Sequence, residues 1–420
     1  MISNKSYVSL FSGAMGLDIG LERAGFSCVL ANEIDPLAVE TIRRNRPQTP
    51  VASESVESLT LARINELSGK NVHGIDLIAG GPPCQAFSVF GQRRGIEDGR
   101  GKLVFEFIRL VKEVQPRTFL MENVRGLHSM PIFPRSALKE AKRRNIEPES
   151  FRHGSLLREI VRRFHDLDYR VDIFLVNAVN YGAPQIRERL LIVGNRFGIK
   201  AKFPPPSFSN RPEDRLPPFK TLGDTLLTGF EDPDPEIMNF SPRKLRYLAM
   251  VPEGGNWRSL PEATQKESMG KSWYLKGGRS AYWRRLSFDF PSPTVVTMPN
   301  HAGTSMCHPR EVRALTVGEL AAIQEFPRDW KFLGSASDKC RQIGNAVPPR
   351  LGQVAGSVIS ELLVQIREAK KGVGMEGSGM VTHIRPHVRT RTYFKRGKVA
   401  TSHRSYYEDS TQQLPLNLGR

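Results

Sequence analysis

The chain has 420 residues, more than one ordinary hydrophobic core needs, and 61 Lys and Arg against 43 Asp and Glu give a formal net charge of +18. So large a basic excess points to a polyanionic partner, nucleic acid rather than a membrane, because no membrane-spanning apolar stretch or lipid anchor accompanies it. Four cysteines, Cys28, Cys84, Cys307 and Cys340, are spaced too widely for a disulfide framework or a zinc pattern, which implies reduced thiols, no metal and a protein of the cell interior.

Residues 7–11 read as a first strand, residues 12–16 as a glycine-containing turn, and Leu17, Leu21 and Ala24 as the inner face of a helix that Gly25 closes. A second strand over residues 27–31 delivers Asn32, Glu33, Ile34 and Asp35. An acid about twenty residues beyond a glycine turn is where a Rossmann-type unit holds ribose hydroxyls, which makes Glu33 the candidate. The turn lacks the third glycine spacing of a dinucleotide fingerprint. That argues against a dehydrogenase and leaves residues 11–16 open between a packing turn and a nucleoside site.

The apolar run at residues 75–79 ends in Gly80-Gly81-Pro82-Pro83-Cys84-Gln85-Ala86-Phe87-Ser88. Such a run reads as a buried strand ending in a rigid loop at its carboxyl edge, where open α/β sheets place their chemistry. Pro82 and Pro83 fix φ and remove two N–H donors, so Cys84 is held at a set angle, as a nucleophile is presented. The alternative, a buried structural cysteine beside a turn, is disfavoured by that rigidity and by the partners further along the chain. Residues 89–101, rich in Gly and Arg, read as a mobile surface loop.

Leu103, Phe107, Leu110, Val111 and Val114 recur at helical spacing, and a short strand at residues 118–121 follows, with Glu122-Asn123-Val124 at its carboxyl end. Two strands of one parallel sheet would put Cys84 and Glu122 at one cleft. Residues 127–155 read as an inserted loop, residues 156–164 as a helix, and residues 169–179 and 190–194 as strands. The extended connection between those strands projects Gln185, Arg187 and Arg189 on one face by the period of two. From about residue 201 to 309 the texture becomes proline-rich and irregular, with aromatics among bases, as in Trp257-Arg258 and Tyr282-Trp283-Arg284-Arg285. That suits a nucleic-acid surface better than a core, a decorated structural domain being the alternative. Thr316 and Glu319 form a capping box, and residues 344–349 open a long helix through Leu351, Val358 and Leu362. Residues 373–420 are polar, basic and unperiodic, and read as disordered.

On these motifs, taken in order from about residue 7 to residue 366, the sequence resembles the DNA (cytosine-5)-methyltransferase family of prokaryotic type. The resemblance implies an α/β fold: a Rossmann-like S-adenosylmethionine-dependent methyltransferase domain with a smaller, irregular target-recognition domain. Residues 1–200 and 311–372 would form the catalytic domain, its first and last helices packed together. Residues 201–310 would form the recognition domain and residues 373–420 a basic tail. Phe11, Gly13, Gly16 and Leu17 of the turn are then expected at S-adenosyl-L-methionine, together with Glu33, Ile34, Ser55, Val56, Pro83, Leu103, Asn345 and Val347. Met15 stands where the family has its middle glycine. Glu54-Ser55-Val56 replaces a Gly-Asp-Ile, so that Ser55 hydrogen-bonds the adenine or the contact is absent.

The same resemblance makes Cys84 the thiolate that adds to carbon 6 of cytosine, so that carbon 5 attacks an electrophilic methyl group. Glu122 is expected at nitrogen 3 and Arg187 at the carbonyl oxygen, with Arg189 completing the Gln-x-Arg-x-Arg motif. Gln85, Ser88, Arg279, Arg284, Arg285, Thr294 and Thr297 are the candidates for contact with DNA. Implied too are a flipped-out cytosine, residues 89–101 as the lid over it, double-stranded DNA as partner, and a monomer in the cytoplasm of a prokaryote, associated with its nucleoid. A cognate restriction endonuclease would act on the same site. Transfer to tRNA cytosine and a catalytically silent DNA-binding relative are the alternative functions.

Overall fold

The structure, a computed structural model, describes residues 5–83, 102–133, 148–274, 280–368, 372–384, 389–395 and 398–404. Its first half alternates strand and helix: β1 (Lys5–Leu10), α1 (Gly16–Arg23), β2 (Phe26–Asn32), α2 (Pro36–Asn45), β3 (Val51–Ala52), α3 (Leu61–Ser68), β4 (Leu77–Gly80), α4 (Leu103–Val114), β5 (Thr118–Val124), α5 (Ser155–His165), β6 (Arg170–Asn177) and β7 (Glu188–Asn195). Residues 201–310 hold the short helices α6 (Leu222–Leu226), α7 (Pro242–Ala249) and α8 (Glu262–Met269), and α9 (Val317–Ile323), α10 (Ala336–Asn345) and α11 (Pro349–Arg367) follow. β8 (Val381–His383) and the pair β9 (Arg389–Lys395) and β10 (Lys398–Arg404) come last.

Eight strands form one sheet in the order β3-β2-β1-β4-β5-β7-β6-β8. β7 runs against both its neighbours, and the remaining pairings are parallel. Chain progression reverses between β1 and β4, and the crevice outside the strand ends at such a reversal is where open α/β sheets bind ligands. The strands are buried on both faces, and alternation sorts their side chains. Val8, Ile78, Phe119, Ile173 and Ile192 pack toward α3, α4 and α5. Tyr7, Leu77, Ala79, Leu120, Phe174 and Leu191 pack toward α1 and α11.

The first and last helices of the catalytic unit do meet, at backbone distance. A Cβ on Gly20 would stand 2.2 Å from the Pro349 carbonyl oxygen, one on Gly352 2.5 Å from that of Leu17, and one on Gly356 2.6 Å from the Ala24 Cβ. Side chains there would force α1 and α11 apart.

Two expectations fail here. Trp257 and Trp283 are not an aromatic surface: both are buried with Phe240, Tyr247, Leu248 and Met269 in a small core within residues 201–310. Interleaved arginines hid that core, because the irregular backbone breaks the apolar period by which it would have been seen. Nor is the whole segment after residue 372 disordered, since β8 adds to β6 in parallel register from Ile173↔Val381 to Leu175↔His383. The fully buried Arg170 holds that segment, donating to the carbonyls of Gly374 and Glu376 at 2.8 and 2.7 Å while paired with Asp172 at 2.9 Å. A three-residue strand is too short for a periodic signal, and its partners lie some two hundred residues away.

Candidate active site

β1 hands the chain to α1 through a tight turn. Phe11, Gly13 and Met15 all take positive φ, at 55°, 54° and 64°. Glycine adopts that conformation without strain, whereas Met15 takes it at a cost that its fully buried side chain offsets by packing with Ala14, Ile19 and Ala31. Gly13 N–H donates to Glu33 Oε2 at 2.7 Å, and the N–H groups of Ile34 and Asp35 donate to Oε1 at 2.9 and 2.8 Å. The carboxylate that ends β2 is thereby fixed against the turn. Ile34 stands 63% exposed, an apolar platform at the same edge. Gly16 is required for approach: a Cβ there would stand 2.3 Å from the Val347 carbonyl oxygen, so the loop after α10 closes directly over the turn.

The Pro-Pro loop is set by β5. Register pairs Gly80 with Met121, which brings Gly81 to Glu122; a Cβ on Gly81 would stand 2.9 Å from Glu122 Oε2. Asn123 Nδ2 donates to the Pro82 carbonyl at 3.2 Å, pinning the loop that leads into Cys84. This positioning role escaped the sequence reading, although Asn123 stands in the same motif as Glu122. Cys84, Gln85, Ser88, Arg279 and residues 89–101 lie outside the described residues. The other cysteines are not activated thiols, because burial pushes Cys28 well up, Cys307 to about 11 and Cys340 to about 12.

The two motif arginines have different surroundings. Arg189 Nε meets Glu122 Oε1 at 2.7 Å, and both side chains retain about a tenth of their exposure, toward the cleft. Burial lowers the Arg189 pKa while Glu122 opposes that change. Arg187, expected at the cytosine carbonyl, donates instead to the carbonyls of Val295, Gly344 and Ala346 at 2.9, 2.8 and 2.8 Å. Burial, and after it the neighbouring Arg189, lowers its pKa well below the ordinary value. Arg187 therefore ties the start of β7 to the segment around Val295 and to the end of α10. Gln185 does likewise, donating to the Ile323 carbonyl at 3.2 Å and accepting from Val295 N–H at 3.3 Å. A period of two placed these residues on one face but could not show that the face turns inward before Arg189.

One cleft of about 490 Å³ joins these parts. Phe11, Gly13, Gly16, Leu17, Glu33, Ile34, Ser55, Val56, Pro83, Leu103, Asn345 and Val347 border it, as do Glu122, Arg187 and Arg189. Ser55 caps the turn at Val56–Ser58 by accepting from Glu57 N–H at 3.3 Å. Arg341 and Asp18 are among the lining residues that went unpredicted. Arg341 of α10 pairs with Asp35, the N-cap of α2, and closes one wall. Asp18 is almost wholly buried, accepts from the Tyr7 hydroxyl at 3.0 Å, and is raised by burial to about 6.

Two of the three arginines expected to read bases, Arg284 and Arg285, engage backbone carbonyls of residues 201–310. Arg285 donates to the carbonyls of Val251, Pro309 and Arg310, and Arg284, lowered to about 10 by burial, donates to that of Ser305 at 3.2 Å. Thr294 Oγ1 donates to the Ile186 carbonyl at 2.7 Å, and the Thr297 backbone abuts Gly344, where a Cβ would stand 2.5 Å from its nitrogen. Residues 292–297 thus pack against the Gln185–Arg189 segment and the end of α10.

The model of the C-5 cytosine-specific DNA methylase family matches residues 6–134 and 149–361. The chain belongs to that family. Among its relatives, the Type II methyltransferase M.PspPI of Psychrobacter sp. (strain TA137) is 40% identical over 367 residues, 85% of this chain and 79% of the relative. The Type II methyltransferase M.Eco47II of Escherichia coli is 40% identical over 378 residues, 87% and 82% of the two chains. The solved structure of the Entamoeba histolytica methyltransferase EhMeth covers 86% of this chain and 99% of its own, with a TM-score of 0.58 at 15% identity, a likeness of fold. The protein is accordingly a DNA (cytosine-5)-methyltransferase on a Rossmann-like α/β scaffold with a mixed sheet.

Proposed function

We propose that the chain transfers the methyl group of S-adenosyl-L-methionine to carbon 5 of a flipped-out cytosine in a specific duplex DNA sequence, as the modification enzyme of a restriction–modification system. One observation carries the reading: Glu33 and the Glu122–Arg189 pair open into a single cleft, on either side of the proline loop that leads into Cys84. The cleft suits a nucleoside joined to an amino acid. Glu33 would take the ribose hydroxyls, Ile34 and Val56 the faces of the adenine, and the Phe11–Leu17 turn with Asn345 and Val347 the amino-acid end. When bound there, S-adenosyl-L-methionine supplies an electrophilic methyl group.

The chain's own residues do the rest. Cys84, as thiolate, adds to carbon 6 of the base and makes carbon 5 nucleophilic; once carbon 5 has taken the methyl group, loss of its proton to a base expels the Cys84 thiolate from carbon 6 and restores the ring. Glu122 hydrogen-bonds or protonates nitrogen 3, where charge accumulates. Arg189, held by Glu122, presents its guanidinium to the carbonyl oxygen, a role that Arg187 is too engaged to fill. The base must leave the duplex to reach a cleft of this depth. Residues 201–310 supply the recognition surface, double-stranded DNA is the partner, and a restriction endonuclease acts on the same sequence in the cytoplasm. The Type II names of M.PspPI and M.Eco47II support that setting.

The test is transfer of labelled methyl groups to duplex DNA and to tRNA, followed by bisulfite mapping of the methylated DNA. Label at cytosine in one duplex sequence is expected. Label in tRNA alone, or in neither, overturns the proposal.

A further inference from the structure

Residues 343–347, the end of α10 and the loop after it, stand between the cleft and residues 292–297. Asn345 and Val347 border the cleft, and Gly16 of the turn after β1 meets the Val347 carbonyl with no room for a Cβ. On the other side a Cβ on Gly344 would stand 2.5 Å from the Thr297 nitrogen and 2.6 Å from the Val296 carbonyl carbon. Both contacts are made at backbone distance, and a close-packed interior transmits a displacement rather than absorbing it.

Residues 292–297 are in turn laid along the Gln185–Arg189 segment. Ser292 N–H donates to the Pro184 carbonyl and Ile186 N–H to that of Ser292, both at 2.8 Å, forming a short parallel bridge. The stretch then reaches the surface at Met298, which is 52% exposed.

Arg187 is one buried tie between these layers, and Gln324, which caps the end of α9, is another. Its side chain is fully buried, and Nε2 donates to the carbonyls of Ile343 and Ala346 at 2.6 and 3.2 Å. Its Oε1 accepts from Gln185 Nε2 at 2.5 Å, and Gln185 Oε1 accepts from Val295 N–H at 3.3 Å. The amide thus donates toward the cofactor side and accepts from the side of residues 292–297. An apolar side chain of similar size would fill the same space, whereas a satisfied buried amide also specifies one arrangement of its neighbours.

We infer that Gln324 is a positioning residue that couples the two sites: engagement of duplex DNA at residues 292–297 tightens the hold of residues 343–347 on S-adenosyl-L-methionine. The inference rests on the proposed substrate and cofactor. Gln324 does not line the cleft and acts through Gln185 and the carbonyls of Ile343 and Ala346.

The test is calorimetric titration of the full chain with S-adenosyl-L-homocysteine, alone and on a duplex mapped as substrate, which gives the factor by which DNA tightens the cofactor site. Coupled sites typically give about 5–150-fold, and gel shifts with and without S-adenosyl-L-homocysteine must return the same factor, because coupling is reciprocal. Gln324→Met keeps the length of the side chain and removes its hydrogen bonds. It should lower the factor by roughly 2–30-fold, the span for substitutions within a coupling network, and leave affinity without DNA near that of the wild type. Gln185→Met should lower the factor as well, and the double variant no further, since each cuts the same amide pair. A merely structural amide would weaken binding equally with and without DNA. That outcome, an unchanged factor in the variants, or a factor of one in the wild type overturns the inference. Should Gln324→Met misfold by circular dichroism, Gln185→Met decides in its place. Failure of the wild-type chain to bind S-adenosyl-L-homocysteine counts against the proposed cofactor, whereas normal binding with an unmoved factor counts against Gln324.

Discussion

The sharpest test of the site separates Arg187 from Arg189. Arg187 is 1% exposed and satisfies three carbonyls at 2.8–2.9 Å, so Arg187→Met would fill much of the space and leave those acceptors buried and unpaired. A buried unpaired acceptor costs roughly 1–3 kcal/mol, which for three gives about 3–9 kcal/mol. Against this, the variant no longer buries a guanidinium whose lowered pKa reports its desolvation, a relief of about 1–4 kcal/mol in comparable replacements. The net loss is roughly 2–5 kcal/mol, a large share of a typical folding free energy of about 5–15 kcal/mol. Thermal unfolding should shift down by on the order of 4–20 °C, since each kcal/mol moves a large domain by about 2–4 °C. Arg189→Lys should behave in the opposite way. The ammonium still pairs with Glu122, so melting stays near that of the wild type, while loss of the planar fork slows methyl transfer by about 10²–10³-fold. Scanning fluorimetry and urea titration read stability, and single-turnover transfer of labelled methyl below the melting range reads chemistry. If Arg187→Met melts like the wild type and loses transfer selectively, the carbonyl clamp is not its role and the base-facing guanidinium is Arg187 after all.

Cys84→Ser should abolish transfer yet keep DNA binding in a gel shift, and Glu122→Gln should slow transfer by roughly two to four orders of magnitude; near-normal turnover in either variant removes that residue from the chemistry. Met15→Gly relieves a positive-φ cost of about 1–2 kcal/mol but deletes a fully buried side chain worth about 2–5 kcal/mol, so urea midpoints should show a net loss of roughly 1–3 kcal/mol, and a gain would refute the packing argument. Asp18 is raised from 3.8 to about 6, so its folded form holds the proton more tightly. The stability it contributes is complete below about pH 4 and is lost as pH rises through about 6, on the order of 3 kcal/mol in all. Asp18→Asn should therefore flatten the decline in urea midpoint between pH 4 and 7, and an identical decline in the variant would rule Asp18 out as its source. Truncation after Arg367 removes β8 and strips Arg170 of two carbonyl partners, so it should melt well below the full chain, whereas truncation after Ile384 should melt alongside it; equal melting of the two would mean that β8 contributes nothing to the fold.

What this sequence determined by itself was whatever has a local cause. The βα alternation, the rigid loop at residues 80–83, the acid at the end of the second strand and the capping box at Thr316 and Glu319 each arise from residues within a few positions of one another. Their chemistry was legible for the same reason: a strand end, a proline pair and a carboxylate imply a sheet edge whatever the rest of the chain does. The tertiary structure alone decided which motif arginine is held by backbone carbonyls, because those that engage Arg187 come from Val295, Gly344 and Ala346, more than a hundred residues away. Distance likewise concealed the inward turn of Trp257 and Trp283, the Arg341–Asp35 pair that closes the cleft wall, and the pairing of β8 with β6. Side-chain periodicity reports the faces of one element. It carries nothing about which distant backbone will meet them, and burial, charge pairing and strand addition are settled only when the chain closes on itself.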